Sequence, residues 1–316
     1  MKTIEAADVF RLLPMSECID AMRSALLDLK RGVSSQPLRT MTRLPDGNVF
    51  GFMPAYLGAN DYFGAKIATA FFSNQGTGHP SHMGYVMLME STYGAPVALV
   101  DATSVTQLRT GAVSGVATDL LARKNASSLC LIGAGAQGRS HLEAMLCVRP
   151  IKRVNVFDVN SERCAAFCRE MSEAYHVDVR PAASIRDAAY GADIICTVTT
   201  CKTPILAAAD VAPGAHINAV GAYSRTTREI ASDLVAASRL YADDMTAILN
   251  EGGEYLLCKA DGLIDESHIL GDLGMLLTGE CPARGADEEI TLFSAHGLAV
   301  EDVACARALY LKSLNV

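Results

Sequence analysis

Apolar residues recur with two different periods along this chain. From Ser16 to Arg31 they fall at Ile19, Met22, Ala25, Leu26 and Leu29, the spacing of one helical face with polar residues opposite. The next stretches alternate instead. Pro37 to Leu44 and Asn48 to Met53 flank a turn at Pro45-Asp46-Gly47, and Phe63 to Phe72, Met83 to Glu90 and Pro96 to Asp101 follow, with Tyr93-Gly94 as a turn. Alternation of this kind predicts a meander of strands forming its own sheet. A helix is predicted from Val105 to Arg123, with the stripe Val105, Leu108, Ala112, Val116 and Leu120. Its small residues, Gly111, Ala112, Ser114, Gly115 and Ala117, call for a close neighbour.

After Thr118 to Asn125 the pattern changes to near-continuous apolar runs, the mark of strands buried on both faces, alternating with helical segments. The runs are Ser128 to Ile132, Val154 to Asp158, Val177 to Arg180, Asp193 to Thr199, His216 to Gly221 and Leu240 to Asp243, with helices at Arg139 to Cys147, Ser161 to Tyr175 and Ser184 to Tyr190. This order predicts an α/β fold: a doubly wound parallel sheet of the Rossmann kind, with ligand at the carboxyl ends of its strands. The tail has a strand at Ile290 to Phe293, a break at His296-Gly297 and a helix from Val300 to Leu311. The Gly-rich stretch Gly271 to Gly285 sets it apart, so it is expected to rejoin the first domain. The expected division is 1–123 with 292–316 as an α+β substrate-binding and dimerisation domain, and 124–291 as a dinucleotide-binding domain.

Chemistry is densest at Gly133-Ala-Gly135-Ala136-Gln137-Gly138. Alone, Gly-x-Gly-x-x-Gly is a weak signal; here a strand precedes it, a helix follows, and Asp158 ends the next strand at the distance expected of a ribose-binding acid. Gly133 would make the tight turn, Gly135 would admit a pyrophosphate to the helix N-terminus, and Gly138 would let helix and strand pack closely. A structural turn, or a related fold for FAD or S-adenosylmethionine, is the alternative. An acid at Asp158 opposes the 2'-phosphate of NADP, although Arg163 one turn on softens that, so NAD is expected over NADP.

Composition narrows the classes further. Half of the 316 residues are hydrophobic and a fifth charged, enough for a large core in two domains, and a net charge of −8 disfavours a nucleic-acid surface. No apolar run approaches a membrane span and Met1-Lys-Thr-Ile-Glu5 is no secretory signal, so a soluble, cytoplasmic protein is expected. The ten cysteines are scattered singly in apolar runs, as small hydrophobes are in a reducing compartment. Neither Cys164 with Cys168 nor His79 with His82 has the further ligands of a metal site, and none is expected.

Three cations sit oddly for scaffolding. Lys66 interrupts an apolar strand, Arg109 lies in a helix of small residues, and Arg39 lies in the meander. Together they either hold a carboxylate, by guanidinium forks and an ammonium charge, or are ordinary surface cations. His296, beside a glycine, reads by itself as a cap or loop residue.

Taken in order, Pro37-Leu-Arg39, Met53-Pro-Ala-Tyr56, Lys66, Pro80-Ser-His82, Arg109-Thr-Gly-Ala112, Ile132-Gly-Ala-Gly-Ala-Gln137, Gly214-Ala-His-Ile-Asn-Ala-Val-Gly221 and Gly297-Leu-Ala-Val-Glu-Asp302 resemble the ornithine cyclodeaminase and mu-crystallin family of NAD(P)-dependent enzymes. The resemblance implies that Arg39, Lys66 and Arg109 bind a substrate carboxylate, that His296 faces substrate, and that Ser81, Ala136, Gln137, Asp158, Thr199, Val220, Gly221, Ala222 and Ala295 contact cofactor. It also implies a homodimer joined through N-terminal strands, and a C-terminal helix that rejoins the first domain. Cyclodeaminases of the family carry an acid where this chain has Gly51 and an aspartate where it has Tyr223, which puts cyclisation of ornithine in doubt. What is left is hydride transfer between nicotinamide and the α carbon of a small amino or imino acid, with Lys66 or His296 as the proton carrier. An ornithine cyclodeaminase and a non-catalytic, crystallin-like cofactor-binding protein are the alternatives. Met53, Tyr223 and His296 are candidates for the pocket wall that selects the side chain.

Overall fold

A computed structural model describes residues 1–44, 46–74, 77–222 and 224–315. The chain separates into two compact units, 1–112 with 298–316 and 113–297. The first begins with β1 (Lys2–Ile4), α1 (Ala6–Leu12) and α2 (Met15–Lys30). It continues through β2 (Thr40–Arg43), β3 (Val49–Tyr56), β4 (Tyr62–Ala70), β5 (His82–Glu90) and β6 (Pro96–Asp101), and α3 (Ala102–Leu121) carries the chain out of it. The strands form one sheet in the order β1-β6-β5-β4-β3-β2, antiparallel except where β1 lies parallel to β6. The meander is as expected. Pro45 and Tyr223, to which a turn and a pocket wall were assigned, lie outside the described residues.

Pleating gives this sheet two unlike faces. Met53, Lys66 and Val86 pair across β3, β4 and β5 and are buried on one face. On the other, Phe52 pairs Ile67 and Ile67 pairs Tyr85, while Phe50 and Met83 both pair Thr69; these five large apolar side chains are all exposed. A shallow apolar depression there is lined by Ile67, Met83, Tyr85, Met87 and Leu99.

The second unit holds β7 (Ser128–Ile132), α4 (Ala136–Val148), β8 (Arg153–Phe157), α5 (Ser161–Tyr175), β9 (Asp178–Pro181), α6 (Ile185–Ala189), β10 (Ile194–Thr197) and β11 (His216–Ala219). After α7 (Ser232–Ala237) come β12 (Arg239–Ala242), α8 (Met245–Glu251), α9 (Gly253–Ala260), β13 (Ile269–Asp272), α10 (Leu273–Thr278) and β14 (Thr291–Ser294). The eight strands are all parallel, in the order β13-β12-β14-β11-β10-β7-β8-β9. Chain order reverses beside β7, so this is a doubly wound sheet with its switch point between β7 and β10. Cys130, Ile195, Ile217, Leu240 and Leu292 are wholly buried in its core, as residues covered on both faces must be. The chain returns to the first unit as α11 (Ala299–Ser313), which packs on α2 and across β3, β4 and β5.

Two sequence expectations change here. Residues 271–285 are no plain linker: β13 forms the sheet edge and α10 follows, capped by Asp272, whose carboxylate accepts from the Met275 N–H at 2.8 Å. The return to the first unit falls at 297/298 instead of 291/292, because β14 is a central strand held by β11 and β12. The other limit is at 112/113 instead of 123/124. The second half of α3 belongs with the parallel sheet, where Ser114 meets His141 at 2.9 Å and the Thr118 hydroxyl accepts from Asn218 at 3.0 Å. Of the small residues on α3, Ser114 thus has its close neighbour in His141 of α4.

All ten cysteines are free, and eight are buried among apolar side chains. Among the described residues no helix is long and apolar enough to cross a membrane.

Candidate active site

In the first unit, β4 and α3 bring two cations to one point. Lys66 and Arg109 are each only 6 % exposed. An unpaired charge at that depth would cost several kcal/mol, so the fold must supply anions. It does so from the first turn of α11. Lys66 Nζ is 2.6 Å from Asp302 Oδ2, Arg109 Nε is 3.0 Å from Asp302 Oδ1, and an Arg109 terminal nitrogen is 2.8 Å from Glu301 Oε2. Glu301 also accepts from the Leu298 N–H at 3.1 Å, so one carboxylate caps the helix and anchors the arginine. Lys66 further donates to the Thr106 hydroxyl at 3.4 Å, one turn before Arg109 on the same helix face.

Arg39 completes the trio. It directly precedes β2, whose register with β3 sets it level with Met53, the partner of Lys66. It is half-buried, and its charge is felt at Lys66. Burial lowers the Lys66 pKa most; Asp302 opposes this, while Arg109 and Arg39 push it further down. The expected cations therefore converge, but Lys66 and Arg109 do so on two buried carboxylates that were not singled out beforehand. Their positions in the quoted Gly297 to Asp302 motif were the available signal.

In the second unit the glycine loop has the geometry its spacing predicts. Gly133 adopts φ +117° and its N–H donates to the Phe157 carbonyl at 2.8 Å. A Cβ on Gly138 would stand 2.4 Å from the Gly133 carbonyl oxygen, so helix and strand touch there. A Cβ on Gly135 would meet nothing within 4 Å: the loop is open where Ala136 and Gln137 begin α4. First-turn N–H groups lack intrahelical acceptors, so this open cradle suits a pyrophosphate. Asp158 stands at the end of β8, its Oδ2 accepting from the Ala134 N–H at 2.9 Å, and Arg163 grips both its oxygens at 2.6 and 3.2 Å. These bonds hold the carboxyl below its ordinary range against the upward push of burial, the largest single effect.

Thr199, Val220, Gly221 and Ala222 follow β10 and β11 at the carboxyl end of the sheet. Thr199 and Gly221 are joined through Glu229, whose carboxylate takes the Thr199 N–H and hydroxyl at 2.8 and 2.6 Å and the Gly221 N–H at 2.7 Å. Ala295 and His296 follow β14 at the same end. The Ala295 N–H donates to the Ala219 carbonyl at 2.9 Å. The His296 ring is fully buried, with Nδ1 2.9 Å from Asp243 Oδ1, while Asp243 Oδ2 accepts the His296 and Gly297 N–H groups at 2.7 Å each. An ionised Asp243 makes Nδ1 the protonated nitrogen and leaves Nε2 as the acceptor, 3.4 Å from the Ser294 hydroxyl. His296 is thus no simple cap. Ser81 alone of the cofactor candidates lies in the first unit; it is exposed, with Oγ 3.0 Å from His82 Nδ1.

A doubly wound sheet with an open glycine cradle and an acid after the second strand defines a dinucleotide-fold protein, here joined to a unit with a buried cluster of paired charges. More narrowly, the chain belongs to the ornithine cyclodeaminase/mu-crystallin family, whose model matches residues 2–315. The ketimine reductase mu-crystallin of Mus musculus is 36 % identical over 92 % of this chain and 90 % of its own. The Δ1-pyrroline-2-carboxylate reductase of Thermococcus litoralis, solved with NADH and L-proline, superposes with a TM-score of 0.96 at 35 % identity, over 100 % of this chain and 98 % of its own. An archaeal alanine dehydrogenase dimer with bound NAD gives 0.93 at 30 % identity, over 99 % and 96 %.

Proposed function

We propose that this protein is an NAD(H)-dependent oxidoreductase that reduces the carbon–nitrogen double bond of a small imino acid, of the ketimine or pyrroline-2-carboxylate type, or runs the reverse reaction on an amino acid. The observation that carries this reading is the convergence of Lys66 and Arg109 in a chain alike over its whole length to reductases of such substrates. NADH supplies the hydride when bound, in the cradle of Gly133, Gly135 and Gly138 with Asp158 toward its ribose. Arg39 and Arg109 hold the substrate carboxylate and so fix its α carbon, a positioning effect that can be worth several kcal/mol. Lys66, with its pKa lowered by burial, gives the proton that the product nitrogen requires; His296 is the rival donor in its doubly protonated form, with Nδ1–H held by Asp243 and the second proton on Nε2.

Asp158 favours NAD over NADP. Its replacement by serine would release the Arg163 fork for a 2'-phosphate, and Asp158→Ser is expected to raise kcat/KM for NADPH relative to NADH at least tenfold, about 1.4 kcal/mol. The exposed apolar face at Phe52, Ile67 and Tyr85 is suited to a second copy of the chain, and the similar alanine dehydrogenase is a dimer. Ile67→Glu is expected to turn a dimer into a monomer in sedimentation. Cyclodeamination is disfavoured by Gly51, which offers no carboxylate at the position where cyclodeaminases of the family carry an acid.

The deciding experiment follows the absorbance of reduced nicotinamide across cyclic imino acids and 2-oxo acids with ammonia or methylamine. Consumption with at least one cyclic or N-alkyl imine is expected. Tight NADH binding with no consumption anywhere on the panel would favour a cofactor-binding protein without catalysis.

A further inference from the structure

Two buried carboxylates in the second unit have no part in the reaction as proposed. Glu229 is 0 % exposed and Glu254 1 %, and no lysine or arginine forms an ion pair with either among the described residues. Glu229 ties the loop after β10 to the loop after β11 through Thr199 and Gly221. Its own backbone is fixed from behind: the Glu229 and Ile230 N–H groups donate to Glu254 at 2.9 and 3.2 Å, and the Glu229 carbonyl accepts from Ile205 at 2.7 Å.

Two adjacent buried acids do not both ionise. Glu254 receives the two longer bonds, and burial with the neighbouring Glu229 raises its pKa to about 8, so it is neutral at physiological pH. Glu229 receives three shorter bonds, the lengths of charge-assisted donors, although its burial is the larger effect and leaves its pKa raised as well. Two backbone N–H groups and a hydroxyl, aimed at both Glu229 oxygens, are the donor set of a carboxylate, and this group lies just behind residues proposed to line the nicotinamide.

We infer that Glu229 tunes the cofactor: its carboxylate, held behind Thr199 and Gly221, favours the positively charged oxidised nicotinamide over the neutral reduced one, and so promotes departure of the hydride. The inference rests on the nucleotide site proposed above. No new co-reactant is needed: with NADH bound, transfer of its hydride to the substrate carbon would leave the nicotinamide positively charged, and the Glu229 carboxylate behind Thr199 and Gly221 would favour that charge.

The test is the ratio of dissociation constants for NAD+ and NADH, from NADH fluorescence and its displacement. Glu229→Gln is expected to weaken NAD+ about tenfold more than NADH, a difference of about 1.4 kcal/mol. Glu229→Asp, which keeps the charge but withdraws it by one methylene, is expected to move the ratio the same way by a smaller factor. It carries the test alone should glutamine prevent folding. Equal weakening of both cofactors, as a purely structural tie would give, or an unmoved ratio, overturns the inference while leaving the proposed function intact. Failure of the wild-type protein to bind either cofactor overturns the nucleotide reading and this inference with it.

Discussion

Lys66, Arg109 and Asp302 stand or fall together, because each is buried and each satisfies another's charge. Removing one partner of such a set strands the other. Lys66→Met and Asp302→Asn are each expected to lower stability by about 3–5 kcal/mol, and the double variant by less than the sum, which denaturant midpoints would show. Lys66→Met is further expected to abolish turnover while leaving NADH binding intact; unchanged turnover would remove Lys66 from the chemistry. For His296 the informative change is one residue away. Asp243→Asn turns an acceptor into an amide that no longer fixes the imidazole tautomer. If His296 carries the proton, kcat falls by about 10²–10⁴ with little change in cofactor affinity; if Lys66 does, kcat is nearly untouched. At this scale the sequence disclosed the cations but not their anions. Lys66 and Arg109 break apolar patterns and catch the eye, whereas Glu301 and Asp302 look like ordinary first-turn acids of a helix, and the Arg109 to Asp302 bond spans 193 residues.

Among the elements, the glycine turn separates binding from stability. A methyl group at Gly138 has nowhere to go beside the Gly133 carbonyl oxygen, so Gly138→Ala is expected to cost about 1–3 kcal/mol and to displace α4. A methyl group at Gly135 meets no protein atom, so Gly135→Ala should cost under about 1 kcal/mol yet weaken NADH markedly, the space it fills being the one proposed for the pyrophosphate. Calorimetry of the two variants with and without NADH distinguishes them. The strand-turn-helix unit was legible because each level agreed: apolar run, glycine spacing, helical period and acid. β13 and α10 were not, since four- and six-residue elements punctuated by Gly271, Gly274 and Gly279 read as loop. Gly271 is kept small by Cys281, whose Sγ would lie 2.7 Å from a Cβ there, a reason no pattern along the chain reveals.

For the whole molecule, two buried histidines contribute to the response to acid. Burial lowers the pKa of His141 to about 4 and of His216 to about 3, each as the largest effect. Both are neutral in the folded protein and take up protons near 6.5 once unfolded, so their share of stability is intact above 6.5 and drains away as the pH falls toward the folded values. Because Glu254, with its pKa raised to about 8, gains stability over the same fall in pH, the histidine share is read as a difference: between pH 6.5 and 5 a variant with His141→Gln and His216→Gln should lose less stability than the wild-type protein, and equal losses would contradict the assignment.

The position of β14 bears on how the polypeptide acquires its shape. Until Thr291 to Ser294 have been synthesised, β11 and β12 have an empty lane between them, and the nascent parallel sheet waits with two unpaired edges. Translation arrested before that strand would yield a chain that already carries the glycine turn and Asp158, yet recruits chaperones instead of nucleotide.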